Sequence, residues 1–165
     1  MSNPASERER VRQLIQRSSV AMLMTFDQDS PYAGRPMLPL FLTNDPDIYF
    51  LTHQGSQKVK QMAAEPRVTL TIVSAGCYFF IVGSAYASND PDLIRRLWHP
   101  TYRAWFPSGK DDREATGVRV VVERVDYWEP PRSHFIRLFR AAKAVVTGRS
   151  IDTPMKTIQG LDSAR

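Results

Sequence analysis

Cysteine is almost missing from this chain: a single residue, Cys77, stands among 165. One thiol excludes an intrachain disulfide and a thiolate metal cluster, and it fits a reducing cytoplasm. The neighbours Tyr78, Phe79, Phe80, Ile81 and Val82 are apolar, so Cys77 reads as a buried structural thiol. Histidine is scarce as well. His53, His99 and His134 stand far apart with no metal-ligand spacing, so no metal site is expected. No apolar run approaches the roughly 20 residues needed to cross a bilayer. The segment Met1 to Arg12 is polar and charged, unlike a secretory signal. The expectation is a cytoplasmic protein without membrane contact. Walker and Rossmann glycine patterns and the Gly-x-Ser-x-Gly elbow are absent too, so triphosphatase and serine-hydrolase readings lack support.

What is present is ordinary in amount: 42% hydrophobic and 24% charged residues, enough for one domain with a real core. The net charge is +5, and its excess gathers towards the end of the chain at Arg132, Arg137, Arg140, Lys143 and Arg149. No nucleic-acid-binding motif accompanies it. A solvated basic face that attracts phosphate-bearing small molecules is the reading, with no nucleic acid as partner.

Periodicity divides the chain into short elements. Ser6 to Ser18 carries Val11, Leu14 and Ile15 on one helical face. Strands are expected over Val20 to Phe26, Arg35 to Thr43 and Ile48 to Thr52; Pro36 and Pro39 require an edge or a bulge in the second. A helix over Ser56 to Ala64, with Val59, Met62 and Ala63 inward, is stopped by Pro66. Strands Arg67 to Ser74 and Tyr78 to Ser88 turn at Ala75-Gly76. Asn89 or Asp90 caps a helix with Pro91 at its first position, burying Leu93, Ile94, Leu97 and Trp98. Val118 to Trp128 is the last long strand, and residues 133–146 form a basic amphipathic helix. Six strands joined by short turns, with peripheral helices, predict a mainly β fold, a small antiparallel barrel. Residues 1–148 form one domain, and 149–165 are expected to be a mobile tail.

Two groups of residues could carry chemistry. At Thr52 to Lys58 a strand ends, Gly55 turns the chain and a helix opens at Ser56. A helix N-terminus with Thr52 and Ser56 hydroxyls and the Lys58 ammonium suits a phosphate monoester, although a plain cap with a surface lysine has the same spacing. Arg35, just before Pro36, offers a planar fork for a phosphate or a ring oxygen, or is a surface arginine at a sheet edge. Trp98, Trp105, Phe106 and Trp128 could stack on an aromatic ring, and serve equally as core or interface anchors.

These residues, in this order, give the chain its resemblance. Gly34-Arg35-Pro36-Met37, Tyr49-Phe50-Leu51-Thr52 with Ser56 and Lys58, Leu97-Trp98-His99-Pro100 and Ala104-Trp105-Phe106-Pro107 resemble the general stress protein branch of the pyridoxamine 5'-phosphate oxidase-like flavoproteins. Tyr127-Trp128 and Leu138 to Ala144 extend it, so that it covers residues 8–148. The resemblance implies a six-stranded split β-barrel homodimer binding FMN, or FAD, at two clefts in the subunit interface. Arg35, Pro36 and Met37 would line the ring and ribityl side, followed by Leu51 and Thr52. Ser56, Gln57 and Lys58 would form the phosphate end, and the partner subunit would supply Trp105 and Phe106. Oxidases of the superfamily place Arg where Gln57 stands, and a lysine where Leu40 stands. They also carry a C-terminal Arg-Leu-His signature that this chain lacks, so pyridoxamine-phosphate oxidation is not expected. No side chain is an evident general base. The function implied is a flavin-dependent redox protein exchanging hydride or electrons with a nicotinamide or a small oxidant. Two alternatives are a non-enzymatic flavin carrier or sensor, and a split barrel using haem or a deazaflavin.

Overall fold

Alternation of buried and exposed residues along most of the strands builds one antiparallel sheet in the computed structural model, which describes residues 4–27, 33–130 and 155–161. The strands are β1 (Ala21–Thr25), β2 (Ala33–Met37), β3 (Ile48–His53), β4 (Arg67–Ser74), β5 (Cys77–Ser88), β6 (Ala115–Trp128) and β7 (Lys156–Gln159). Their order is β2-β1-β4-β5-β6-β3, with β7 paired to β6. The architecture is the expected split-barrel type. The seventh strand lies in the stretch expected to be a mobile tail. Residues Lys156–Gln159 pair with Arg124–Tyr127, the Thr157 hydroxyl donates to Asp126 Oδ1 at 2.7 Å, and Leu161 is buried. A four-residue strand with one inward side chain gives almost no period-2 signal, so its register on β6 is invisible in sequence.

Proline sets the two edges. Pro36 sits in β2, whose outer side has no neighbour in the strand order, so its missing N–H costs no ladder bond. The strand expected over Arg35 to Thr43 stops at Met37, because Leu38-Pro39 breaks it. Leu40 then exchanges hydrogen bonds of 2.8 and 2.9 Å with Tyr49 of β3. The chain thus runs from one edge of the sheet to the other through a single bridge, and the sheet curls without closing.

Helix α1 (Pro4–Gln16) lies on this sheet through Val11 and Ile15, four apart on one face and both fully buried. Burying each contributes roughly 1.5–3 kcal/mol, and Ile15→Asp would undo that packing. Arg10 forks onto Glu129 at 2.6 and 3.0 Å, the Tyr127 hydroxyl donates to Glu7, and the Ser74 hydroxyl donates to the Leu14 carbonyl at 2.6 Å. The core around them includes Leu23, Phe50, Leu70, Phe79, Ile81, Val120 and Tyr127, with Cys77 buried among them as expected.

Helix α2 (Gln57–Ala64) buries Gln61 and Met62, while Ala63, expected inward, is exposed. Helix α3 (Pro91–Leu97) starts at Asp90, whose carboxylate accepts from the Asp92 N–H at 3.0 Å, with Pro91 at the first helical position. It leads into a short 3-10 helix, Pro100–Ala104. Ile94, Leu97, Tyr102 and Phe106 form a second core with Tyr49 and Leu51 on the other face of β3. That is why β3 is buried on both sides. The basic helix expected over 133–146 lies outside the described residues. No helix among the described residues is long and apolar enough to cross a membrane.

Candidate functional site

Where the sheet fails to close, four elements meet around a cleft of about 340 Å³. The end of β2 and the following segment supply Arg35, Pro36, Met37 and Leu38. The end of β3 supplies Leu51, Thr52 and His53. Lys58 comes from the first turn of α2, and Tyr102, Trp105 and Phe106 come from the 3-10 helix and the residues after it. The volume falls in the range of small-molecule sites, as does the balance of many apolar walls and few polar groups.

Strand alternation explains the division of labour at β3. Thr52 shares the face of Phe50 and looks towards α2, whereas Leu51 and His53 share the face of the second core. Thr52 Oγ1 accepts a hydrogen bond from Lys58 Nζ at 3.0 Å, which ties helix and strand together at the cleft's polar end. Burial, and then the neighbouring Arg35 guanidinium, hold the Lys58 ammonium below its ordinary value. Arg35 is held below its ordinary value by burial, with Asp27 opposing. Its Nη1 donates to Thr25 Oγ1 at 2.6 Å and its Nη2 to Gln61 Oε1 at 3.0 Å. Neither cation forms an ion pair with a carboxylate among the described residues. Two part-buried cations, one of which lowers the other's affinity for a proton, make a site that favours an anion.

The aromatic wall is built by the chain itself. His53 stacks on Phe106 with ring centroids 4.5 Å apart, and Trp98, Tyr102 and Trp105 continue the cluster at 6.1–6.5 Å spacings. Phe106 is buried, whereas Trp105 is 57% exposed at the cleft's rim. Both had been expected from a second subunit, and both line the cleft of the same chain. The Tyr102 hydroxyl is enclosed near the Leu51 main chain without hydrogen-bond geometry, and its burial pushes it up to about 12.

Of the expected site residues, the structure brings together Arg35, Pro36, Met37, Leu51, Thr52, Lys58, Trp105 and Phe106. Ser56 and Gln57 do not line the cleft. Successive helical residues diverge by about 100°, so Gln57 turns to solvent when Lys58 faces inward. Ser56 precedes the helix in extended conformation but makes no capping hydrogen bond, and its hydroxyl is enclosed without a partner. Leu40 joins the second core. Leu38, His53 and Tyr102 were not predicted. The signal for His53 was its place directly after Thr52 at the strand end; Tyr102 gave none, because its contact depends on the 3-10 helix folding back.

A family model described as pyridoxamine 5'-phosphate oxidase like matches residues 6–152. Among curated proteins the chain is similar to Protein bli-3 of Neurospora crassa, with 22% identity over 141 residues, covering 78% of this chain and 68% of that protein. Among solved structures it is similar to a putative general stress protein 26 from Jannaschia sp. CCS1. The TM-score there is 0.73 at 21% identity, covering 94% of this chain and 99% of the other. A general stress FMN/FAD binding protein from Xanthomonas citri gives 0.67 at 23% identity, covering 76% and 90%. At such identities the likeness to solved structures shows a shared fold.

Proposed function

Because the chain belongs to the pyridoxamine 5'-phosphate oxidase like family, we propose that its cleft binds a phosphorylated flavin, FMN in the first place and FAD as the larger variant. The observation that carries this reading is the convergence of Lys58, Thr52 and Arg35 at one end of a cleft whose other walls are Met37, Leu38, Leu51, Phe106 and Trp105. A flavin monophosphate has the same polarity: an anion at one end and a broad apolar ring at the other. The relative named as an FMN/FAD binding protein supports the cofactor class.

In this reading the flavin supplies hydride and electron exchange. Lys58 and Arg35 neutralise the anion, Thr52 holds the ammonium in place, and the apolar wall keeps water off the ring. The exchange partner in this reading is a nicotinamide or a small oxidant. We propose further that the protein works as a homodimer in the cytoplasm. Met22, Val73 and Tyr78 stand on the outward side of β1, β4 and β5 and are 41%, 61% and 58% exposed. A second copy of this chain would cover them.

Titration of the purified protein with FMN, followed by tryptophan fluorescence, tests the proposal. Expected is saturable quenching at one flavin per chain and a bound-flavin absorbance band. No binding at micromolar FMN would overturn it, and a haem or deazaflavin spectrum in the isolated protein would replace it. Anaerobic mixing with reduced nicotinamides then separates a redox enzyme, whose flavin bleaches in turnover, from a carrier, whose flavin stays oxidised.

A further inference from the structure

Behind the cleft, away from its apolar wall, lies a run of polar groups that a flavin reading does not require. Thr25 is 2% exposed and Gln61 is 6% exposed, among the few buried polar residues in the described part of the chain. Arg35 Nη1 donates to Thr25 Oγ1 at 2.6 Å and Nη2 to Gln61 Oε1 at 3.0 Å. The Thr25 hydroxyl donates to the same Gln61 oxygen at 2.5 Å, and Gln61 Nε2 donates to Asp27 Oδ2 at 2.5 Å.

The chemistry of the groups sets the directions in this run. A guanidinium only donates, so Thr25 must accept from it, and its own proton goes to Gln61 Oε1 at 2.5 Å in preference to the Ala33 carbonyl at 3.5 Å. A carboxylate only accepts, so the amide nitrogen of Gln61 must face Asp27 and its oxygen must face Arg35 and Thr25. Glutamine is the side chain that presents an acceptor to the cation and a donor to the anion from one rigid plane. Glutamate would set a second carboxylate against Asp27, and methionine would leave Arg35 and Asp27 each short of a partner. Both nitrogens of the Arg35 fork are thereby held from behind. One N–H on each, together with Nε–H, stays directed away from the run.

We propose that Gln61, seconded by Thr25, is a positioning residue that clamps the Arg35 guanidinium in one orientation, presenting its remaining N–H groups to an acceptor of the bound ligand. Helix α2 therefore serves the cleft twice, with Lys58 in its first turn as a direct contact and Gln61, three residues on, as the support of the opposite wall. The ligand side of this inference rests on the flavin reading; the clamp itself does not.

Two measurements on the full chain test it. The first is a cycle of Arg35→Ala, Gln61→Met and the double variant, titrated with FMN and riboflavin. Gln61→Met should weaken binding about tenfold, the scale of one hydrogen bond to a charged group, and should add nothing once Arg35 is alanine. Thr25→Ser, which keeps the hydroxyl, should bind as the parent does, and Thr25→Val should lose affinity as Gln61→Met does. The second needs no ligand. Rotation of the Arg35 guanidinium, followed by side-chain nitrogen NMR, should be hindered in the parent and in Thr25→Ser, and free in Gln61→Met and Thr25→Val. Additive losses in the cycle, or an Arg35 signal unchanged by both substitutions, would overturn the clamp. If Gln61→Met does not fold, Thr25→Val carries both arms. If the parent binds no flavin but its Arg35 rotation still depends on Gln61, the clamp stands and the flavin reading falls.

Discussion

Replacing Lys58 by methionine separates the charge at the cleft's polar end from its packing. Methionine keeps the unbranched stem and removes the ammonium, so the stem's packing survives while the hydrogen bond to Thr52 Oγ1 at 3.0 Å is lost. A hydrogen bond to a charged group contributes about 1.5–3 kcal/mol, which converts to a loss of roughly 10- to 150-fold in FMN affinity. Riboflavin, identical but for the phosphate, should change by less than about twofold by the same accounting. Folding stability should hold or rise. Lys58 is a partly buried cation beside the Arg35 cation, and both burial and that neighbour disfavour its charged form. The assay is paired titration of FMN and riboflavin by fluorescence, with thermal melts of the flavin-free protein alongside. Equal losses for the two ligands would refute the phosphate role. A large drop in melting temperature with the FMN-to-riboflavin ratio unchanged would show Lys58 to be a structural prop.

The pH dependence gives the same reasoning a second sign. The Lys58 pKa is lowered in the folded protein, so a bound phosphate, which favours the ammonium, drives proton uptake. FMN affinity should fall as pH rises through that lowered value, which lies below the ordinary lysine value. It should also fall below about pH 6, where the phosphate loses one of its charges. Riboflavin affinity should be flat across both windows. Added salt should weaken FMN alone.

Three further outcomes follow from the geometry. Ser56→Ala should leave the melting temperature of the flavin-free protein unchanged or higher, because the hydroxyl it removes is enclosed without a partner, and a clear drop would refute that reading. Gly83→Ala should destabilise by about 1–3 kcal/mol in urea titration, because the added Cβ would lie 2.3 Å from the Val121 carbonyl oxygen, at the bulge where β5 and β6 shift register. Tyr49 is raised to about 12 by burial and by its hydrogen bond to Asp45. Its folded-state value lies above the unfolded one, so its contribution is complete below pH 10 and is lost as pH climbs towards 12. Tyr49→Phe should flatten that alkaline fall, and an unchanged slope would refute the assignment.

Much of the sheet was legible because its strands alternate and its turns carry Pro, Gly and Asp at the places turns need them. Ala75-Gly76, both at positive φ, was readable as the β4–β5 hairpin from its glycine alone. Val11 and Ile15 gave α1, and Asp90-Pro91 gave the start of α3. Legibility failed where position depends on another element. Gln61 is polar at a helical position and reads as solvent-facing, yet it is buried because Asp27, Thr25 and Arg35 offer it three partners at once. Ala63 read as inward for its apolarity and is exposed, because α2 turns the Gln61 and Met62 side to the sheet. β7 lies some thirty residues from its partner strand in sequence and carries one inward side chain. Thr52 and Lys58, on consecutive elements, and Arg35 were readable from local order, while Met37 came only through the family resemblance. Tyr102 entered through a fold-back no local pattern encodes, whereas His53 had its place directly after Thr52 at the strand end as a signal.

The position of the cleft follows from an incomplete closure. Six strands curl until β2 and β3 face each other, and a fully paired barrel would fill the gap between them with ladder hydrogen bonds. Proline prevents that twice: Pro36 lacks an N–H within β2, and Pro39 ends the strand so that only Leu40 reaches Tyr49. The backbone between Met37 and Leu40 therefore cannot zip onto β3, and the side chains of both strand ends turn into the space left between them. Arginine at one end and threonine with lysine at the other keep that space polar where the strands part. Tyr102, Phe106 and Trp105 close the far side with carbon. A sequence that replaced Pro39 by a β-branched residue would gain strand pairing and lose the cleft, so the feature that weakens the barrel is the one that gives it a site.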